Sequence, residues 1–385
     1  MPAIFNWTRE PLIEPKISPV TNSTDLKAFL RFQWKVQATD PAWVPPLLID
    51  LKSRFNPKYP FYEHGEVESY IARDPQTGEI LGRVCAVVNG LHNKFHEDKV
   101  GFFGFFDCVN DPDVARALLD HAGAFLKSRG LDTIRGPMNF SVNDEIGMLI
   151  EGFDTPPVIM MTHNPPYYNT LMEQCGMVKA KDVVAYQMFQ GQLSERVIRV
   201  AEALEKRLPL HIRPFNKHDF WGEVDRILSI YNAAWEKNWG FVPMTDKELK
   251  LMAQTLKLVY DPNLVYFAET AEGKPVGFSL ALPDVHVLFK QIKNGRLFPT
   301  GIFKLLFGLK KIHRARVLLM GVHPDYRFRG IDTVFYYRTY KAGTEAGYNW
   351  AEFSWVLEDN EPMNAAALSM GSTPYKKWRI WERPL

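Results

Sequence analysis

The sequence predicts an α/β (α+β) protein built from two successive domains of one plan, each a mixed, mostly antiparallel sheet flanked by helices. Three observations predict it. The chain has 385 residues, too many for one ordinary core and suited to two domains of roughly 150–200 residues. The order helix, hairpin, strand, turn, helix, strand, short helix, strand reads twice along it. Local signatures repeat as well: strand ends SVND at 141–144 and LEDN at 357–360, openings NPP at 164 and NEP at 360, and helix stops at Gly130 and Gly347.

In the first half, residues 24–38 carry Leu26, Phe29, Leu30 and Trp34 on one helical face, with Ser23 or Thr24 as the cap. A connection rich in proline and aromatic residues follows. VESYIARD and ILGRVCAVVN flank a PQTG turn and predict a hairpin, and VGFFGFFDCV predicts another strand. The helix after it is capped by Asp111, opened by Pro112 and stopped by Gly130. Strand TIRGPMNFS, a long loop to about residue 163, helix PPYYNTLMEQCG and strand VVAYQMF complete a domain over 1–190. A charged helix at 191–210 reads as a bridge to a second domain over 211–385.

The second domain runs through strand LHIRPF, two helices ending near Tyr260, and a hairpin around EGK. Strand ARVLLMGVHP and helix IDTVFYYRTYKAGTEAG come next, then WAEFSWVLEDN, EPMNAAALSMG and YKKWRIWER as strand, helix and strand. Between hairpin and strand lies an insertion, 285–316. It carries Lys290, Lys293, Arg296, Lys304, Lys310, Lys311, Arg314 and Arg316, no acidic residue, and many interleaved Leu, Ile and Phe.

Composition narrows the function classes. A net charge of +2 argues against a protein built on a DNA footprint, so no DNA partner is expected. Cys85, Cys108 and Cys175 form neither a disulfide framework nor a zinc set. With no apolar leader in MPAIFNWTREPLIEPK, they lead to an expected cytoplasmic location. No apolar run approaches the ~20 residues of a membrane span. No His/Cys set has metal spacing, so no metal is expected, and no Ser-His-Asp arrangement can be read.

The most informative stretch is HPDYRFRGID, 323–332. A strand entering a glycine turn and then a helix is an anion site: the first helical amides lack partners, the helix dipole adds positive charge, and glycine permits close approach. Here the turn is Arg327-Phe328-Arg329-Gly330-Ile331-Asp332. Downstream, NEPMNAAALSMGS sets Asn360 and Gly371 eleven residues apart. On these residues the chain resembles the GNAT (GCN5-related N-acetyltransferase) superfamily. Its signature at this junction is Gln/Arg-x-x-Gly-x-Gly/Ala, followed by an Asn-x-x-Ala…Tyr…Gly-Phe helix. WVPPLL, RGPMNFSVNDEIG and THNPPYY resemble a group of uncharacterised bacterial tandem-GNAT proteins over essentially the whole chain. More distantly the chain is similar to mycothiol synthases, Fem transferases and N-myristoyltransferase.

The resemblance implies acetyl-CoA or another acyl-CoA as donor, with Met320, Gly321, Val322, Arg327, Phe328, Arg329, Gly330, Ile331, Asp332 and Asn360 around it. It departs from the signature at Asp332, which stands where Gly or Ala is usual, and at Ala367, which stands where the family has an acid tyrosine. The first half has no Arg-x-x-Gly turn. Base candidates near the implied thioester slot are Glu352, Glu358 and Asp359, and Tyr375 is a candidate for the missing acid. Because the acceptor lies between domains in related tandem folds, Asn143, Asp144, Glu145, Tyr167 and Tyr168 of the long first-half loop are acceptor candidates. The expected function is N-acyl transfer to a small-molecule, peptide or lipid amine by direct attack. Two alternatives stay open: a degenerate pair acting as a ligand-binding module, and a Fem-like transferase using aminoacyl-tRNA. For 285–316 two readings also stand, contact with a membrane surface or an acyl chain, and an amphipathic helix pair docked on the core.

Overall fold

Caps and turn residues set where the elements of the first half begin and end. The computed structural model describes residues 14–385; segment 1–13, and with it the start of the supposed leaderless N-terminus, lies outside the described residues. After β1 (Lys16–Pro19), α1 (Ser23–Gln37) starts behind Asn22. The Asn22 side chain accepts from the Thr24 and Asp25 amides at 3.0 Å, so the cap stands one residue before the expected Ser23. The connection contains α2 (Leu48–Arg54) and leads to the hairpin β2 (Gly65–Arg73) and β3 (Ile80–Asn89). Then come α3 (Gly90–His96), the fully buried β4 (Val100–Cys108) and α4 (Pro112–Ser128), capped by Asp111 as expected. β5 (Thr133–Gly136) is shorter than the predicted strand because Pro137 offers no N–H to continue the ladder. β6 (Met148–Glu151), α5 (Tyr167–Gln174) and β7 (Val178–Phe189) follow.

The second half repeats the sequence of elements. α6 (Glu195–Arg207) and β8 (His211–Pro214) precede α7 (Phe220–Trp235) and α8 (Asp246–Leu256), the latter opened by a Thr245/Glu248 capping box. β9 (Val265–Glu269) and β10 (Pro275–Pro283) form a hairpin. The basic insertion holds α9 (His286–Phe289) and α10 (Ile302–Gly308). The remainder is β11 (Arg314–Val322), α11 (Ile331–Glu345), β12 (Trp350–Leu357), α12 (Glu361–Ser369) and β13 (Thr373–Pro384).

The chain divides into two units, 1–182 with 378–385, and 183–377. The sequence boundary at 190/191 differs from this division, and strand pairing gives the reason. In the first unit the order is β1-β2-β3-β4-β5, with β4 and β5 parallel, and β5 is closed by the end of β13, Trp381 opposite Gly136. In the second the order is β8-β9-β10-β11-β12, with β11 and β12 parallel, and β12 is closed by the end of β7, Phe189 opposite Trp350. Each unit therefore completes its sheet with a strand from the other half of the sequence. The helix expected as a bridge, α6, belongs to the second unit. Leu193 and Ala201 pack against Tyr336 and Tyr337, and the Tyr337 hydroxyl donates to Glu202 Oε1 at 2.6 Å. No helix among the described residues is long and apolar enough to cross a membrane.

Candidate active site

β11 and β12 are paired from Arg314 opposite Trp350 to Val317 opposite Phe353, and there their pairing stops. β11 continues to Val322 held by β10, with a bulge between Leu280 and Ala281. β12 continues to Leu357 held by β7, with its own irregularity between Phe353 and Val356. The far ends of the two parallel strands are thus bonded to outer neighbours and not to each other. Met320, Gly321 and Val322 lie on this open stretch, whose backbone groups can bond an extended ligand that carries amides of its own.

Side chains alternate across the strands, so the two faces of this slot differ. Ala315, Val317, Ala351 and Phe353 line an apolar cavity of ≈ 60 Å³ that Tyr336, Tyr340 and Gly343 of α11 complete. On the same measure one water needs roughly 10–15 Å³, so the cavity admits a chain of several carbons. Small residues at 281, 315, 343 and 351 create that room.

The other face carries charge. Arg316 and Glu352, register partners on the last-but-one pair before the strands part, are both buried. The Glu352 carboxyl accepts from the hydroxyls of Ser354 and Tyr375. Arg316 Nη2 donates to the Ser354 carbonyl at 3.1 Å. Burial pushes the Glu352 carboxyl above its ordinary value; Arg316 and the two hydroxyls oppose the rise, and buried Asp284 adds to it. Burial, then the Glu352 charge, push the Tyr375 phenol far up, so it remains a donor. A carboxyl with a raised pKa beside parted strands is suited to accept a proton.

At the end of β11 the chain turns into α11 through Gly330 (φ 80°), and no side chain caps the first amides of that helix. Asp332 lies in the first turn without serving as a cap, so it leaves those amides open. Arg329 stacks over the Tyr326 ring, 5.0 Å from its centroid, and donates to the Asp325 carbonyl at 3.1 Å. Phe328 is fully exposed at φ 60°. Arg327 is turned to structural use: its guanidinium donates to the carbonyls of Val322 (3.3 Å) and Ala234 (2.5 Å). The corresponding α4 end in the first unit is closed, because the Asp111 carboxylate accepts from the Asp113 and Val114 amides at 2.9 and 3.4 Å. A second anion there would meet a negative charge on the same donors.

No protein-family model matches the chain. It is 36% identical over 372 residues to Protein YghO of Escherichia coli (strain K12), covering 94% of each chain. It is 35% identical over 379 residues to the bacterial ceramide synthase of Caulobacter vibrioides, covering 96% of this chain and 97% of that one. Among solved structures, a tandem GNAT protein from the clavulanic acid biosynthesis pathway superposes with a TM-score of 0.56 at 13% identity, covering 96% and 98% of the two chains. The chain belongs to one family with YghO and the bacterial ceramide synthase, and it has the fold of a tandem GNAT protein.

On this fold the remaining expected residues fall as follows. Tyr375 and Glu352 meet, as described. Glu358 and Asp359 sit exposed just past β12, away from the buried carboxyl. Asn360 caps α12, its side chain accepting from the Met363 amide at 3.3 Å. Ala367, at the position of the GNAT acid tyrosine, packs with Tyr186 and Val356. Hydroxyls approach α12 from its neighbours instead: Tyr186 donates to Asn364 Oδ1 at 2.8 Å, and Tyr336 bonds Met363 Sδ at 3.5 Å.

The acceptor candidates of the first half are engaged within their own unit. Tyr168 is a core residue, its hydroxyl donating to Asp107 Oδ1 and accepting from the Cys108 amide, both at 3.0 Å. Tyr167 donates to the Cys108 carbonyl at 2.7 Å. Asp144 and Glu145 pair with Arg54 at 3.5 and 3.8 Å, and the Asn143 amide donates to Ser141 Oγ at 3.3 Å. Arg316 and Ser354 are site members that the sequence patterns do not mark as such. The one available signal was an arginine in the middle of an apolar strand, a charge that must find a buried partner. Among the described residues no group of His, Cys, Asp and Glu could hold a metal ion.

Proposed function

We propose that this protein is an acyl-CoA-dependent N-acyltransferase that joins an acyl group to the amine of a long-chain amino alcohol, forming a ceramide-type amide. The observation that carries the reading is the parting of β11 and β12 after Val317 and Phe353, directly beside buried Glu352. The open amides of α11 at Gly330, with Arg329, suit a pyrophosphate. The apolar cavity under α11 suits an acyl chain. The name of the Caulobacter relative supports a lipid amide as product.

A coenzyme A thioester supplies the activated acyl carbonyl. Backbone N–H groups on the open stretch of β11 orient that carbonyl and stabilise charge developing on its oxygen. Glu352 accepts the proton shed by the attacking amine as the N–C bond forms and the C–S bond breaks. Tyr375 and Ser354 hold the carboxylate in place through their hydroxyls, and Arg316 balances its charge. The sulfur leaves as a thiolate, a good leaving group, so the missing tyrosine at Ala367 costs little. Glu352 releases its proton to solvent and the thiolate takes one up, so the products are an amide and free coenzyme thiol and the carboxylate is restored.

The test is the purified protein with acetyl-, medium- and long-chain acyl-CoA and a C18 amino alcohol, read by thiol release and product mass. Thiol release that depends on the amine, with an amide product, supports the reading. Coenzyme binding without transfer to any amine would make the protein a ligand-binding module, and would remove this assignment.

A further inference from the structure

The basic insertion has a feature that core docking does not explain. Its inward side is apolar, as a docked segment requires: Leu288, Ile292 and Leu305 are buried. Its outward side is apolar too. Phe298, Phe303, Leu306 and Phe307 are 63%, 57%, 58% and 75% exposed, and Phe303 and Phe307 lie nearly parallel, centroids 6.5 Å apart, one helical turn apart on α10. An ordinary surface helix turns polar residues to water at these places. Around them stand exposed Lys290, Lys293, Arg296, Lys304, Lys310 and Lys311, and no acidic residue occurs between 285 and 316.

We infer that α9, α10 and their connection form a docking surface for an anionic phospholipid bilayer. The aromatic and leucine side chains enter the headgroup boundary and the lysines meet lipid phosphates. The charge pattern selects this occupant: six exposed cations with no anion among them match a negatively charged surface, at which each cation adds to binding. A protein partner of ordinary mixed charge would not be matched by a rim of a single sign. The segment is also anchored firmly enough to transmit docking. At its stems the Asp284 amide donates to the Arg314 carbonyl at 2.8 Å, and their side chains form an ion pair at 3.5 Å. Ile312 is buried at its C-terminal end. Those stems lead straight into β10 and β11, the strands of the candidate active site. The inference stands on surface chemistry and does not require the proposed reaction; a lipid acceptor would give such docking its use.

The experiment is co-sedimentation of the full chain with vesicles of phosphatidylcholine alone, and with about 30% phosphatidylglycerol. The variants are Phe303→Ser with Phe307→Ser, and Lys304→Glu with Lys310→Glu and Lys311→Glu. All substituted side chains are exposed, and thermal melts check that each variant folds. The expected result is binding to anionic vesicles, at least about tenfold weaker for each variant and weakened by about 300 mM salt. No sedimentation with either vesicle by the folded wild type would overturn the inference. So would equal binding by the variants. Sedimentation velocity that shows a dimer dissociated by the Phe303/Phe307 changes, without vesicle binding, would assign the face to a second copy and overturn it as well.

Discussion

Glu352→Gln is the most discriminating perturbation of the proposed chemistry. Glutamine has the same volume and keeps one oxygen to accept from one of the Ser354 and Tyr375 hydroxyls, while its amide N–H can donate to the other. What it removes is the capacity to take a proton. General bases contribute about 10²–10⁴ in rate; with geometry retained, a loss of about 10²–10³ in single-turnover rate is expected, or roughly 3–4 kcal/mol in the barrier. The dependence on pH has a definite sign. The wild-type rate rises as Glu352 loses its proton, on a limb whose midpoint lies above the ordinary 4.5, because burial raises the carboxyl. Glu352→Gln has a low, flat profile in that range. Stability moves the other way. A raised carboxyl stabilises the fold in its neutral form: that contribution is complete below 4.5 and is lost as pH rises through the raised value. The glutamine variant therefore melts with wild type in acid and above it at neutral pH. Thiol release and thermal melts from pH 4 to 9 check both. An unchanged rate and an unchanged acid limb in the variant would refute the assignment of Glu352 as base.

Four further outcomes are expected. Tyr375→Phe removes a hydroxyl that holds the Glu352 pKa down, so the acid limb shifts to higher pH, and loss of a buried hydrogen bond lowers stability by about 1–2 kcal/mol in urea titrations. Arg329→Ala with Gly330→Glu weakens acyl-CoA binding by tenfold or more in calorimetry, approximately, because it removes a cation and places an anion at the open amides. Gly330→Ala by itself costs about 1–2 kcal/mol, since its φ is 80° and its Cβ would stand 2.8 Å from Leu204 Cδ1. Gly343→Leu fills part of the cavity, so kcat/KM falls for longer acyl donors and stays near wild type for acetyl-CoA.

Much of the local structure could be read before any coordinates. The α4 boundaries followed from Asp111, Pro112 and Gly130, and the β2–β3 hairpin from its PQTG turn, because caps and turns act over three or four residues. The candidate site was legible only in part. Gly330 and the amides of α11 were marked by the turn itself. The commitment of Arg327 to the Val322 and Ala234 carbonyls was not, because Ala234 is 93 residues distant in the chain. Tyr168 illustrates the same limit: a tyrosine in a polar–aromatic loop reads as a ligand contact, but the buried Asp107 beneath it claims its hydroxyl. The role of Ala367 depended likewise on which neighbours fold against α12.

By itself the sequence determined the element order, its duplication, the glycine turn at 330 and the single-signed insertion, all of them properties of short windows. Tertiary structure alone decided that β7 and β13 each complete the sheet of the unit that holds the other half's elements, that β11 and β12 part after four paired residues, and that Glu352 meets Arg316, Ser354 and Tyr375. The reason is physical. Helix and turn preferences are satisfied by near neighbours, whereas strand partners and buried charges are chosen by which distant groups can close the ladder and satisfy each other without water.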